Sequence, residues 1–197
     1  MHAESDQERD HALKQLMRSL NMLRRLVDQL LTMARIDPGW SDKNLTEVSL
    51  NSVATDALSK AIPKALLKQV NVELQAEDEI SVPGNGELMG LMLSNLIENA
   101  IRATPAGGLV RIRIGYRAKG PCLIVEDTGP GIPEQDMQRV FDRFYRRPGT
   151  AGPGAGIGLS IVRSIVDFHN AEIQLANRQG RHGLSVMVIF LDATPVN

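Results

Sequence analysis

The sequence has little cysteine and little net charge, and each shortage excludes a class of protein. Cys122 is the only cysteine among 197 residues, which rules out an internal disulfide framework and is typical of a reducing compartment. Because Cys122 lies in an apolar segment, we interpret it as part of the core. The formal net charge is −1, so the composition gives no reason to expect nucleic acid or an anionic membrane surface as a partner.

The sequence also lacks a long apolar run. The longest candidate, residues 184–191, is far shorter than the roughly 20 residues that a membrane-spanning helix needs. Residues 2–10 are polar and charged, so the amino terminus has no signal-peptide pattern. Hydrophobic residues make up 43% of the chain, which is enough for a substantial core, and we expect the chain itself to be soluble.

Three segments rich in asparagine or glycine stand out. They read NLIENAIRA at 95–103, EDTGPGI at 126–132 and GAGIGLS at 154–160. Asn95 and Asn99 are one helical turn apart, so both amides project from the same face, and their oxygens suit Mg²⁺. Asp127 ends an apolar strand, and the glycines after it let the backbone approach a flat ring. The glycines of the third segment open a helix whose unpaired amides attract an anion.

In this order the segments resemble the N, G1 and G2 boxes of the ATP-binding domain of sensor histidine kinases, within the superfamily of gyrase, Hsp90, histidine kinases and MutL. FDRFYRR at 141–147 lies where that family has its F box. Taken alone, each segment has a structural explanation, such as a polar helix face, an Asp-Gly turn or a flexible loop. Four segments in the family's order favour a nucleotide site.

The resemblance implies a role for each site residue. Asn99 would be the ligand of Mg²⁺ with Asn95 as its helper, and Arg102 would contact phosphate, with a plain surface arginine as the alternative. Asp127 would accept the amino group of adenine in ATP or ADP. Residues 133–153 would form a mobile lid. The other candidates that would contact the nucleotide are Gly129, Gly131, Ile132, Phe144, Tyr145, Arg146, Gly154, Gly156, Gly158 and Leu159.

Within the lid, Phe141 and Phe144 are expected to be anchors, while Tyr145 and Arg146 would face adenine and the terminal phosphate. A solvated loop arginine is the alternative for Arg146. Two positions depart from the family. Ala103 stands where an aromatic residue commonly packs on adenine, which predicts weaker nucleotide binding. Asn170 stands where a glycine usually ends a helix, and asparagine tolerates the left-handed conformation needed there.

The pattern of the remaining chain predicts an α+β fold. We expect a helix capped by Ser49, a turn at 83–86, helices at 87–103 and 157–168, and strands at 70–74, 110–116, 123–125, 172–176 and 184–191. Arg111, Arg113 and Arg117 alternate with apolar residues and should lie on a solvent-facing side. The resemblance implies a two-layer α/β sandwich of the Bergerat type, a mixed sheet packed on helices, preceded by one long dimerisation helix.

The amino-terminal residues have a different periodicity. Apolar residues spaced alternately three and four apart form a heptad seam on one helix: Leu13, Leu16, Leu20, Leu23, Val27, Leu30 and Ala34. This segment resembles the second helix of the kinase dimerisation and phosphoacceptor hairpin. We therefore predict a hairpin helix at 1–37 that forms a homodimer, a linker at 38–45 starting with Pro38 and Gly39, and an ATP-binding domain at 46–197.

The first helix of that hairpin, which carries the acceptor histidine, has no match in this sequence. His2, His11, His169 and His182 lie outside any such motif and are interpreted as structural. We expect the chain to be the catalytic part of a two-component sensor histidine kinase that cannot autophosphorylate alone. It would pass the γ-phosphoryl of ATP to a histidine on the acceptor helix, and a response regulator would receive it from there.

The expected location follows from the same resemblance, namely the cytosolic portion of an inner-membrane sensor.

In hydrolytic members of the superfamily a glutamate base occupies the position of Asn95. An amide cannot abstract a proton, so this chain resembles members that transfer phosphate to protein rather than to water. The alternatives are a serine/threonine kinase of the same superfamily and a nucleotide-gated interaction module that transfers no phosphate.

Overall fold

The computed structural model describes residues 45–76, 78–145, 156–178, 180 and 182–191, together with isolated helical positions nearer the amino terminus. Those positions are Arg9, Ala12, Leu13, Leu16, Met17 and Leu20. Their apolar members are exposed, at 55% for Leu13 and 59% for Leu16. The rest of the predicted dimerisation helix and most of the linker lie outside the described residues, as do Arg146 and Gly154.

From residue 45 onward, the described residues form seven strands and three α-helices. The helices are α1 (Leu50–Lys68), α2 (Gly86–Ala103) and α3 (Gly158–Phe168). The strands are β1 (Thr46–Ser49), β2 (Asn71–Ala76), β3 (Ser81–Gly84), β4 (Leu109–Arg117), β5 (Gly120–Asp127), β6 (Ala171–Asn177) and β7 (Leu184–Phe190).

Five of the strands form one mixed sheet in the order β2-β4-β5-β7-β6. Strands β2 and β4 are parallel, and the other neighbours in this sheet are antiparallel. The short strands β1 and β3 pair separately. The helices pack on one face of the large sheet, so the predicted α+β architecture of a mixed sheet on helices is confirmed. No helix in the described part of the chain is long and apolar enough to cross a membrane.

Side-chain caps fix where α1 and α2 begin. Ser49 accepts a hydrogen bond from the Ser52 amide at 3.0 Å, as the sequence predicted. Asn85 caps α2 in the same way through the amide of Leu88 at 3.0 Å. The predicted turn at 83–86 is wrong, because Pro83 and Gly84 complete β3 and α2 starts directly after Asn85. Proline lacks an amide donor and is compatible with an edge strand.

The core lies between the helices and one face of the sheet. Alternate residues of β4 and β5 point into it, including Val110, Ile112 and Val125, while Leu93 of α2 and Ile161 of α3 are fully buried. A stripe of alanines on α1 is also buried there: Ala54, Ala57, Ala61 and Ala65. Small side chains of this kind allow a helix backbone to approach its neighbours closely.

The opposite face of the sheet carries the predicted arginines. Arg111 pairs with Glu73 and Arg113 with Glu126, each at 2.9 Å. These ion pairs are partly exposed, so each contributes little to stability. Cys122 lies on this face, is 1% exposed and packs with Ile124 and Ile189 in a small apolar cluster separate from the main core, which confirms that it is a buried packing residue. Burial raises the pKa of its thiol and keeps it protonated.

Leu93→Ala tests this assignment of the core. The side chain is 0% exposed, so its truncation should cost about 2–5 kcal/mol of unfolding free energy through lost burial and a cavity. Leu67→Ala is the matched control, because Leu67 is 89% exposed and its loss should change stability by less than about 0.5 kcal/mol. Urea unfolding of both variants measures the difference. Equal unfolding midpoints for the two would contradict the assignment.

Candidate functional site

The asparagine pair of α2 lies against the entrance of α3. Asn95 and Asn99 are both half-buried and face Gly158. A Cβ built on Gly158 would lie 3.0 Å from Asn95 Oδ1 and 3.6 Å from Asn99 Nδ2. The first contact is tighter than an ordinary van der Waals approach, so a side chain at position 158 would press on the amides. The prediction that both amides share one face is confirmed, and the fold brings the first and third segments together.

Hydrogen bonds orient the two amides differently. Asn95 Nδ2 donates to the Leu91 carbonyl at 2.9 Å, which turns Asn95 Oδ1 toward Gly158. The Asn99 oxygen accepts a hydrogen bond from the guanidinium of Arg102, one turn further along the helix. The amide pair and Arg102 therefore form one polar patch on α2, in which the amide oxygens are of the type that hard cations prefer.

A lysine side chain binds the last carbonyl groups of α2. Lys68, the last residue of α1, donates through Nζ to the Ile101 carbonyl at 2.9 Å and to the Arg102 carbonyl. A lysine suits this position because the last carbonyls of a helix have no partner within it and carry negative partial charge. Burial, followed by the nearby Arg102, lowers the pKa of Lys68. No local sequence pattern indicates this contact, because Lys68 and Ile101 are 33 positions apart in the chain.

Asp127 ends β5 as a buried carboxylate. Only 4% of the residue is exposed. Its Oδ1 accepts hydrogen bonds from the Gly129 amide at 2.7 Å and the Leu184 amide at 3.2 Å. No hydrogen bond to Oδ2 is found within the described residues. Burial raises the pKa of Asp127, while the two amides and the charge of Arg178 act in the opposite direction.

The turn after Asp127 has no room for side chains at two positions. A Cβ on Gly129 would lie 2.9 Å from the carbonyl oxygen of Ala103, where α2 ends. Gly131 has φ of +75°, and a Cβ there would collide with the Asn177 amide oxygen. Ile132, another predicted site residue, is hydrogen-bonded through its backbone to Asn177. The turn is thus fixed between α2 on one side and the end of β6 on the other.

The entrance of α3 has the properties of an anion site. Ile157 occupies the cap position and no side chain caps the helix there, so the described residues leave the first-turn amides without a side-chain partner. Gly156 has φ of +72°, and a Cβ on it would lie 2.7 Å from the Tyr145 carbonyl oxygen. Gly158 and Leu159 follow and are half-buried. The described glycines of this segment therefore place backbone amides beside the asparagine pair.

The described part of the predicted lid is held by Tyr145. Its hydroxyl donates to Asp136 Oδ1 at 2.8 Å, and the Arg139 guanidinium lies 4.6 Å from the centre of its ring. Phe144 is 67% exposed with φ of +64°, so the expectation that it is a packed anchor is wrong. Phe141 is half-buried in a short 3₁₀ turn (Arg139–Phe141). The contact of Tyr145 with adenine stays a prediction.

His169 joins the two helices that form the site. Its Nε2 accepts a hydrogen bond from the Asn85 amide at 3.0 Å, and its Nδ1 lies 2.8 Å from the Ile165 carbonyl oxygen. These partners require a neutral imidazole with its proton on Nδ1. His169 therefore ties the end of α3 to the cap of α2 and is structural, as expected. Asn170 follows with φ of 52°, which confirms the predicted left-handed conformation.

Comparison with known proteins agrees with this geometry. Residues 84–195 match the family described as histidine kinase-, DNA gyrase B-, and HSP90-like ATPase. The chain is 37% identical to sensor protein kinase PmrB of Pseudomonas aeruginosa over 97% of its own length and 40% of that protein. It is 32% identical to sensor protein QseC of Escherichia coli K12 over 88% of its own length and 38% of that protein.

Solved structures show the same fold. Mycobacterial sensor histidine kinase MprB superposes with a TM-score of 0.68 and 26% identity, over 74% of this chain and 97% of that one. The histidine kinase AdeS of Acinetobacter baumannii gives a TM-score of 0.75 at 24% identity, over 92% of this chain and 84% of that one.

The chain belongs to the histidine kinase-, DNA gyrase B- and HSP90-like ATPase family, and the proteins similar to it include a sensor protein kinase and a sensor histidine kinase. Membership of this ATPase family implies that the chain binds ATP. The chain spans about 40% of the length of the curated relatives it matches.

Asp127→Asn tests the buried carboxylate. The amide keeps an oxygen for the two backbone donors but loses the charge, so ATP affinity should fall by roughly 10- to 100-fold, the value of one charge-assisted hydrogen bond. Because burial raises the pKa of Asp127, its ionised form disfavours the folded state at neutral pH. The variant should therefore unfold at a higher temperature than the wild type at pH 7.

The pH dependence of that difference provides the control. As the pH falls through the raised pKa of Asp127, the wild-type carboxyl becomes neutral, and the stability advantage of the variant should shrink and then vanish. Calorimetric titration with ATP and thermal unfolding at several pH values measure both effects. Unchanged ATP affinity, or a difference in unfolding temperature that does not vary with pH, would contradict the assignment.

Proposed function

We propose that this chain is the ATP-binding catalytic part of a two-component sensor histidine kinase and delivers the γ-phosphoryl group of ATP to a histidine. The observation that carries the proposal is the convergence of three separate segments in one family-matched domain. The asparagine pair of α2 meets the glycine entrance of α3, and the buried Asp127 turn abuts the end of the same α2.

Asp127 would select the base. Both described hydrogen bonds to its carboxylate reach Oδ1, which leaves Oδ2 for the exocyclic amino group of adenine. Guanine presents a carbonyl oxygen at that position and would be repelled. Gly129, Gly131 and Ile132 would lie along the ring, since their turn is held close to the end of α2. Ala103 offers no aromatic surface there, so we expect moderate affinity.

The polar patch of α2 and the entrance of α3 would hold the phosphates. Mg²⁺ prefers oxygen ligands and keeps several waters, and the amide oxygens of Asn99 and Asn95 fit that preference. When bound, the cation would neutralise charge on the phosphates. In this structure Arg102 occupies the Asn99 oxygen, so the guanidinium must leave it when a cation binds there. A phosphate group is the natural new partner for a freed guanidinium.

Among the described residues around the asparagine pair, we find no base for hydrolysis. Asn95 is an amide, and the carboxylate of Glu98 is directed at Lys64 of α1, 3.2 Å away. A water molecule would therefore not be activated by these groups as it is in hydrolytic relatives. Positioning and charge neutralisation remain as the means of catalysis, which suits transfer to a histidine presented by another helix.

The partners of the whole protein follow from this role. We infer that residues 1–37 form the second hairpin helix and pair with another copy, that an acceptor histidine lies on the first hairpin helix, and that a response regulator takes the phosphoryl group. The ATP site would lie in the cytoplasm.

The exposed side chains of Leu13 and Leu16 are consistent with an apolar seam that packs against a partner helix. Residues 38–45 would be the linker and 133–153 the lid.

A phosphotransfer assay tests the function. The chain is incubated with Mg²⁺ and ATP labelled on its terminal phosphate, with and without a supplied acceptor hairpin. Acid-labile label on the hairpin alone is expected, because a phosphohistidine is acid-labile and this sequence has no acceptor motif. Asn99→Ala is the matched inactive control. Bound ATP without label in either tube would contradict the kinase and favour the nucleotide-gated module, whereas acid-stable label would favour a serine/threonine kinase.

A further inference from the structure

We propose that Asn177 is a positioning residue for base recognition, because the β6–β7 hairpin holds both ends of the turn that starts at Asp127. The inference rests on the proposed function, since it concerns the part of that site which would bind adenine. The described hydrogen bonds of Asn177 reach neither the polar patch of α2 nor the entrance of α3. The contacts of this hairpin come from Asn177 at the end of β6, Leu184 at the start of β7, and Arg178 and Gly183 in the connection between the two strands.

The first contact is at the far end of the turn. Asn177 Oδ1 accepts a hydrogen bond from the Ile132 amide at 2.9 Å, and Asn177 Nδ2 donates to the Ile132 carbonyl at 2.7 Å. One side-chain amide thus satisfies both backbone groups of a single residue 45 positions away. The neighbouring Gly131 has no room for a Cβ because this amide is so close.

The second contact is at the near end of the turn. Arg178 Nη1 donates to the Asp127 carbonyl at 3.0 Å, and the Leu184 amide donates to the Asp127 carboxylate at 3.2 Å. Gly183 passes so near that a Cβ would collide with the Asp127 carbonyl oxygen. Asp127 and Ile132 are therefore both hydrogen-bonded to the same hairpin, and the residues between them form a turn that is held at both ends.

This arrangement has a consequence for affinity. A turn that is ordered before binding does not have to be ordered by the ligand, and such preorganisation raises affinity. Asn177 is exposed, so its removal opens no cavity, and water can replace its hydrogen bonds to Ile132. Asn177→Ala should therefore loosen the turn without unfolding the domain. The effect should fall on the base and not on the phosphates, which are held elsewhere.

The experiment compares Asn177→Ala with Gln174→Ala. Gln174 is an exposed amide on the same strand whose side chain donates to Glu172 at 2.8 Å, away from the turn. Four quantities are measured for each variant and the wild type. They are the dissociation constants of Mg-ATP and of inorganic tripolyphosphate, the thermal unfolding midpoint, and the hydrogen-exchange rate of the Ile132 amide without nucleotide. Asn177→Asp keeps the acceptor for the Ile132 amide and serves as the conservative variant.

The proposal predicts that Asn177→Ala weakens ATP about tenfold, the effect expected when two hydrogen bonds that order a turn are lost. Tripolyphosphate affinity and the unfolding midpoint should stay at wild-type values, and the Ile132 amide should exchange faster. Gln174→Ala should match the wild type throughout, and Asn177→Asp should keep more Ile132 protection than Asn177→Ala.

Unchanged ATP affinity in Asn177→Ala would overturn the proposal. An equal loss for ATP and tripolyphosphate would also overturn it, since that pattern indicates a general structural defect. If the wild type itself does not bind ATP, the proposed function fails and base recognition fails with it. The exchange rate of Ile132 still decides in that case whether Asn177 holds the turn.

Discussion

The buried carboxylate of Asp127 is the constraint around which the site is arranged. Burying a charge is costly, and here backbone amides from two directions offset part of the cost, Gly129 in the following turn and Leu184 in β7. Both donors reach the carboxylate only because glycines allow a close approach. Gly129 touches the end of α2, and Gly183 passes against the Asp127 carbonyl oxygen. The turn after Asp127 and the β6–β7 hairpin therefore both contact this one acidic residue, which ends strand β5 of the sheet.

The phosphate side of the site depends on how α2 and α3 are joined. Gly158 lets the entrance of α3 approach the asparagine pair, and His169 at the other end of α3 holds the cap of α2. Lys68 fastens the opposite end of α2 through its last carbonyls. Three separate contacts thus fix the helix that carries Asn95, Asn99 and Arg102. Groups held on rigid elements in this way keep their geometry.

Much of this could be predicted from the sequence, because periodicity and chain order are local properties. The apolar pattern located α2 and α3 to within one residue, and the apolar run before Asp127 predicted the strand that ends there. The family's order of segments predicted which residues meet. Strands β1 and β3 were missed, since each has only four residues and Pro83 and Gly84 are typical of a turn.

The contacts of Asn177, Arg178 and Lys68 were missed for a different reason. Each is polar and joins residues more than 30 positions apart, so no local pattern indicates its partner. A polar residue at the end of a strand was the only available signal for Asn177. Phe144 was misjudged because an aromatic residue usually packs, whereas here the backbone turns with positive φ and leaves the ring exposed.

We expect Asp127 to make this a site for adenine nucleotides, and titration of the wild-type chain with Mg-ATP and with Mg-GTP measures that selectivity. ATP should bind saturably and GTP at least about tenfold more weakly, because the guanine carbonyl would face a carboxylate. Equal affinity for the two nucleotides would contradict the role of Asp127, and the absence of ATP binding would contradict the site as a whole.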